Sequence, residues 1–244
     1  MGGNGSILSL PMLPFERFEA LTFDCYGTLI DWESGILNAL RPVLSRHGIE
    51  GSDDQVLAAY AAEEETAEGG DYRPYREVLR KVMRGLGDRF GFAPSAGELD
   101  RLAASIEEWP PFPDTIESLH ALKRRYRLAI VSNIDDDLFS GSARRLEVPF
   151  DDVITARQVR SYKPRPAHFE AALERLAVQR DRLLHVAQSL FHDIAPARRL
   201  GLSTVWVNRR HGREGFGATP PGDARPDLEV PDLRTLALLA VPAA

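Results

Sequence analysis

Cysteine is almost missing from this chain: Cys25 stands alone among 244 residues. That excludes an internal disulfide and a multi-cysteine zinc site, and a reducing, cytoplasmic setting is expected. Positive charge is also in deficit, with 30 Lys and Arg against 36 Asp and Glu and a net charge of −6. Neither a nucleic-acid partner nor an anionic membrane surface fits that balance. Long hydrophobic runs are lacking, since no segment approaches the roughly 20 apolar residues of a membrane span. The apolar stretch at 7–13 has no basic residues ahead of it, unlike a secretory signal. Residues 1–16 are therefore expected to be a poorly ordered leader. Internal repeats and low-complexity tracts are not found either. What remains is ordinary globular composition, 43% hydrophobic and 27% charged, in a length that suits one large domain or a core with an insert.

The run Leu21-Thr22-Phe23 reads as a buried strand that stops abruptly at Asp24, ahead of Gly27. From 32 to 109 the spacing is helical. Ile36, Leu40, Val43 and Leu44 mark a first helix that Pro42 should kink or end. Val56 and Tyr60 open a second, which breaks at Gly69-Gly70. Tyr75 to Met83 marks a third, and Leu99, Leu102, Ile106 and Trp109 a fourth. No strand pattern interrupts them. The proline-rich stretch 110–114 then reads as a linker. Beyond it the pattern alternates. Strands are expected at 128–131, 153–155, 183–187, 204–207 and 228–230, and helices at 115–125, 138–146, 168–176 and 193–200. Alternation of this kind implies right-handed crossovers and a parallel sheet.

In such a sheet the carboxyl ends of the strands face one crevice. Standing at those ends are Asp24, then Ser132 with Asn133, then Lys163, then Gln188-Ser189 with Asp193. Each has a plain alternative by itself. Asp24 can be a turn former, Ser132 a helix cap, Lys163 a solvated loop lysine and Asp193 an acid favoured at a helix start. Their occurrence together at successive strand ends points instead to a site where two acids, an amine, a hydroxyl and an amide converge.

Phe23-Asp24-x-Tyr26-Gly27-Thr28-Leu29, Ser132-Asn133, Lys163-Pro164-x-Pro166 and Ser189-x-x-His192-Asp193 resemble, in order and spacing, the four motifs of the haloacid dehalogenase superfamily. The resemblance spans nearly the whole chain from about residue 20. It implies an α/β fold: a Rossmann-like parallel-sheet core at 17–31 and 112–244, with an α-helical cap inserted at 32–111. Phosphoryl-transferring members carry an acid where Tyr26 stands and another where Gln188 stands. Asp24 with Asp193 alone makes a poor magnesium site, so no metal and no cofactor are expected. The chain is instead similar to the 2-haloacid dehalogenase branch. That similarity implies attack by Asp24 on a saturated carbon beside a carboxylate, giving an aspartyl ester that water then hydrolyses.

On that resemblance Lys163 would hold Asp24 ionised, Thr28 would orient it and Asp193 would activate water. Tyr26, Ser132, Asn133, Gln188 and Ser189 would line the substrate site, with Ser132 and Asn133 on the substrate carboxylate. Dimerisation through the cap is a further implication. The chain departs from the branch in two respects: 54–65 carries no arginine to receive a halide, only Glu63-Glu64-Glu65, and Phe169 stands where those enzymes tend to have a tyrosine after the Lys-Pro motif. Arg73 and Arg76 are the nearest substitutes. A narrower similarity, in 20–33, 132–135 and 209–219, is to azetidine-2-carboxylate hydrolases. It implies a ring-opening alternative in which the acidic cluster serves an amine leaving group. A magnesium-dependent phosphatase and a non-enzymatic binding module are further readings, and Cys25 is expected to be an inert buried thiol.

Overall fold

The computed structural model describes residues 13–241. Six parallel strands form one sheet in the order β3-β2-β1-β4-β5-β6. They are β1 (Ala20–Phe23), β2 (Arg127–Ser132), β3 (Asp152–Thr155), β4 (Leu183–Ala187), β5 (Ser203–Val207) and β6 (Leu228–Val230). The central strands β1 and β4 are buried at every residue, which is why they read as continuous apolar runs rather than alternating ones. The chain winds outward from β1 through β2 to β3, then returns to lay β4 on the other side of β1. A ligand crevice opens at such a reversal, beyond the carboxyl ends of the strands.

Helices α1 (Trp32–Arg46), α2 (Asp53–Glu68), α3 (Tyr75–Phe90), α4 (Ala96–Leu99) and α5 (Arg101–Ser105) make up the inserted layer. Asp31 caps α1 by accepting from the Ser34 amide at 3.2 Å, and Ser52 with Gln55 forms a capping box on α2. Gly35 lets α1 sit on Trp109, because a Cβ there would lie 2.3 Å from the indole. Pro42 does not end α1, which runs on to Arg46. Its ring is exposed, and the carbonyl it leaves without an amide partner belongs to Asn38, which is also exposed, so no buried polar group is orphaned. The fourth expected helix is two short ones, α4 and α5, followed by a 3₁₀ turn.

The remaining helices are α6 (Thr115–Lys123), α7 (Asp136–Leu146), α8 (Ala156–Val159), α9 (Ala167–Leu176), α10 (Ala195–Arg199) and α11 (Leu233–Ala240). The segment expected to begin a helix at 193 starts earlier, with a π-helical turn at Leu190–Ile194 running into α10. Of the expected leader, residues 1–12 lie outside the described residues. Phe15 is buried, and its carbonyl accepts from the Tyr126 hydroxyl at 3.1 Å. No helix among the described residues is long and apolar enough to cross a membrane.

Candidate active site

β1 ends at Phe23, and the next residue, Asp24, stands over the sheet edge with 7% exposure. Its amide is tied to the Val186 carbonyl on β4 at 3.1 Å, so the side chain is placed by the sheet itself. Asp24 Oδ2 accepts from the Thr28 hydroxyl at 2.7 Å, and Thr28 Oγ1 in turn accepts from the Gln188 amide at 2.9 Å. Asp24 Oδ1 accepts from Lys163 Nζ at 2.9 Å. Lys163 Nζ also donates to Asp193 Oδ1 at 2.7 Å and to the Val131 carbonyl at 2.9 Å. An ammonium has three hydrogens, and all three are engaged. Asp193 reaches the cluster from the π-helical turn, where Ser189 accepts from the His192 amide at 2.9 Å.

One ammonium faces two buried carboxylates, and their protonation divides accordingly. Burial opposes charge on Lys163, yet Asp193 and Asp24 together hold it protonated above its ordinary value. Burial likewise opposes ionisation of Asp193, but the Lys163 ammonium and His185 outweigh it and bring the carboxyl down to about 2. Asp24 is raised: burial exceeds the pull of Lys163, and Asp193 adds repulsion. Raising the proton affinity of a bound carboxylate also makes it the better nucleophile of the two.

These groups line a cavity of about 40 Å³ with Tyr26, Ser132, Asn133, Gln188 and Ser189 from the core. At roughly 10–15 Å³ per water the cavity holds about three, so it suits a small ligand. Ser132 is 99% buried there with β2 ending at it. Some expected contacts are engaged elsewhere. The Tyr26 hydroxyl lies 2.8 Å from Ser142 Oγ on α7. Asn133 clasps the lysine loop, its Oδ1 accepting from the Lys163 amide at 2.8 Å and its Nδ2 donating to the Lys163 carbonyl at 3.2 Å. Gln188 Oε1 accepts from Thr219 at 3.1 Å. Thr219 belongs to the loop at 209–219, whose Arg210 reaches the cap through Glu33 at 2.8 Å. Among the described residues no group of three His, Cys, Asp or Glu side chains is arranged to hold a metal ion. Cys25 is fully buried with its thiol pushed up, chiefly by burial, as expected of an inert one.

The cap contributes Trp32, Glu64, Glu68 and Tyr75, and no arginine lines the cavity. Arg73 donates to the Ala67 carbonyl, and Arg76 pairs with Asp137; neither turns inward. Of the acidic cluster, Glu63 pairs with Arg89 and only Glu64 is buried. Glu64 accepts from both Tyr60 and Tyr75 hydroxyls. Glu68 accepts from Asn133 Nδ2 at 3.2 Å, and burial with the Glu64 charge beside it pushes its carboxyl well up. Reading 63–65 as the cluster missed Glu68 and the tyrosines. The usable signal was the spacing Tyr60, Glu64, Glu68, which puts all three on one face of α2.

Burial raises Glu64 from 4.5 to about 7, against the two tyrosine bonds and with Asp24 adding to it. The folded chain therefore keeps this proton to higher pH than the unfolded chain does, so stability falls as pH rises from 4.5 towards 7. Over those units the loss is up to about 3 kcal/mol. Glu64→Gln is expected to flatten urea-unfolding stability across that window, and an unchanged slope would contradict the assignment.

Carboxylates and one ammonium at the carboxyl edge of a parallel sheet, with helices folded over them, are the chemistry of a capped α/β hydrolase. The family is then a matter of comparison. The chain belongs to the haloacid dehalogenase-like hydrolases, whose family model matches residues 18–201. It is 28% identical over 222 residues to haloacetate dehalogenase H-2 of Moraxella sp. (strain B), covering 88% of this chain and 95% of that one. It is 28% identical over 210 residues to (S)-2-haloacid dehalogenase 4A of Burkholderia cepacia, covering 80% and 85%. A crystal structure of an L-2-haloacid dehalogenase superposes with a TM-score of 0.74 at 25% identity, covering 90% of this chain and 97% of that one. These relatives lend no support to the narrower similarity to azetidine-2-carboxylate hydrolases.

Proposed function

We propose that this chain hydrolyses small carboxylates substituted at C2, without a metal, using Asp24 as nucleophile. The observation that carries this is the Asp24 carboxylate itself: buried, made basic by its surroundings, and fixed through both oxygens by Thr28 and Lys163. The dehalogenase names of the relatives support the same reading. Asp24 attacks C2; the C2–O bond forms as the bond to the leaving group breaks, the leaving group taking the electron pair. Water then adds to the Asp24 carboxyl carbon, frees the 2-hydroxy acid and restores Asp24. Asp193 orients and deprotonates that water. Lys163 stays protonated throughout, balancing Asp24 before attack and Asp193 after it. Ser132 and Ser189 supply hydroxyls for the substrate carboxylate, while Thr28 and Asn133 hold Asp24 and Lys163 in place. Tyr26 and Gln188 shape the walls.

A second reading has one feature in its favour: the cap faces the leaving group with two acids, Glu64 and Glu68, and with no guanidinium. That suits a departing ring nitrogen, which bears or takes up a proton, better than a halide ion. The test is turnover in EDTA of (S)-2-chloropropionate, azetidine-2-carboxylate and an aryl phosphate, the last also with Mg²⁺. Chloride release or ring opening in EDTA is the expected result and identifies the leaving group. Turnover of the phosphate alone, and only with Mg²⁺, would overturn the proposal.

A further inference from the structure

β4 is apolar except at its centre. His185 there is fully buried between Leu184 and Val186, and does not line the cavity. A histidine in the middle of a central strand must find partners for both nitrogens, and here both are side chains. Nδ1 lies 3.0 Å from Thr22 Oγ1 on β1, and Nε2 lies 3.0 Å from Asp193 Oδ1. Phe169 packs edge-on against the ring at 5.0 Å. An ionised carboxylate only accepts hydrogen bonds, so Nε2 carries the hydrogen that Asp193 takes, and the Thr22 hydroxyl is the partner of Nδ1. Asp193 Oδ1 thus takes two donors, His185 and Lys163. No protein group among the described residues bonds Oδ2, although Asp193 lines the cavity.

We propose that His185 is a positioning residue for the hydrolytic half of the reaction: held by Thr22, its Nε2–H fixes Asp193 through Oδ1 and leaves Oδ2 as the oxygen presented to water. This rests on the aspartyl-ester reading above. His185 makes no hydrogen bond to Asp24 and does not line the cavity, so its loss spares the attack at C2 and impairs the step that needs Asp193. Water adds to the Asp24 carboxyl carbon as its proton passes to Asp193 Oδ2. The tetrahedral centre then collapses, the bond from that carbon to the substrate oxygen breaks, and the 2-hydroxy acid leaves with the proton returned from Asp193, while the remaining water proton goes to solvent as the Asp24 carboxylate re-forms. A loosely held Asp193 misplaces that water, and misplacement on the ångström scale costs about 10²-fold in rate.

The experiment is acid quench during turnover of (S)-2-chloropropionate or azetidine-2-carboxylate, whichever the wild type converts. The fraction of protein carrying the ester is read by intact mass beside kcat and KM. His185→Leu is expected to lower kcat about 10²-fold, lower KM with it, and drive the protein almost wholly to the ester. His185→Gln retains a donor at the Nε2 position and is expected to recover most of kcat. Thr22→Val, which keeps shape in β1 and removes the hydroxyl, should raise the ester fraction to a smaller extent and serves where His185→Leu fails to fold. A fall in kcat with the ester fraction unchanged in both His185→Leu and Thr22→Val overturns the proposal. Absence of ester in the wild type, with Asp24→Asn still active, overturns the ester reading itself and this role with it.

Discussion

Asp24→Asn is expected to lower turnover by about 10⁴-fold or more, the scale seen when a covalent nucleophile is removed from an otherwise intact site. The substitution is nearly isosteric, and Lys163 keeps its bonds to Asp193 and the Val131 carbonyl. Folding does not suffer, because Asp24 is the carboxylate whose ionisation burial and Asp193 both oppose. Removing that charge leaves one ammonium with one carboxylate. The melting temperature is therefore expected to hold or rise while activity disappears, and no ester should appear in the quenched protein. Retention of even a tenth of the activity would show that another group attacks.

Lys163→Met should fail in the opposite way, losing stability as well as activity. It strands two carboxylates against each other and leaves the Val131 carbonyl without its donor. Deleting one partner of a buried ionic cluster costs about 3–5 kcal/mol. The unpartnered acids then bind protons more readily in the folded chain than in the unfolded one, so the destabilisation grows with pH and is milder at pH 5 than at pH 8. Catalysis falls by about 10²–10³-fold or more, since Asp24 is protonated at neutral pH and the charge that offsets Asp193 is gone. Denaturant melts at the two pH values, with activity at each, test this. Equal stability of variant and wild type at pH 8 would contradict the geometry.

Asp24, Lys163 and Asp193 were legible in the sequence for a topological reason. A parallel sheet sends every strand's carboxyl end to the same edge, so residues 24, 163 and 193 meet without any local signal linking them. The cap was legible as an insert for a similar reason, its helical spacing interrupting a strand-helix alternation. Its contribution to the site was not. An acid on α2 looks the same in sequence whether it meets solvent, as Glu65 does, or is buried against the cavity, as Glu64 is. Only the packing of α2 on α3, which brings Tyr75 to Glu64, separates the two cases. Side-chain direction was the other hidden quantity. Tyr26 turns its hydroxyl to Ser142 and Asn133 folds back on the lysine loop, choices set by neighbours more than 25 residues away. His185 was read as one more residue of a strand.

The Lys163 ammonium holds an acid after β1, the last carbonyl but one of β2, and an acid after β4, and those three strands are adjacent in the sheet. A single nitrogen atom thereby records whether the middle of the sheet has been assembled in the right order. Chain ends separated by more than a hundred residues must already be in register before the three bonds can coexist. Catalytic competence is for this reason a late event in the life of each molecule, arriving with the completed sheet and unavailable to any collapsed form in which one of the three strands is still out of place.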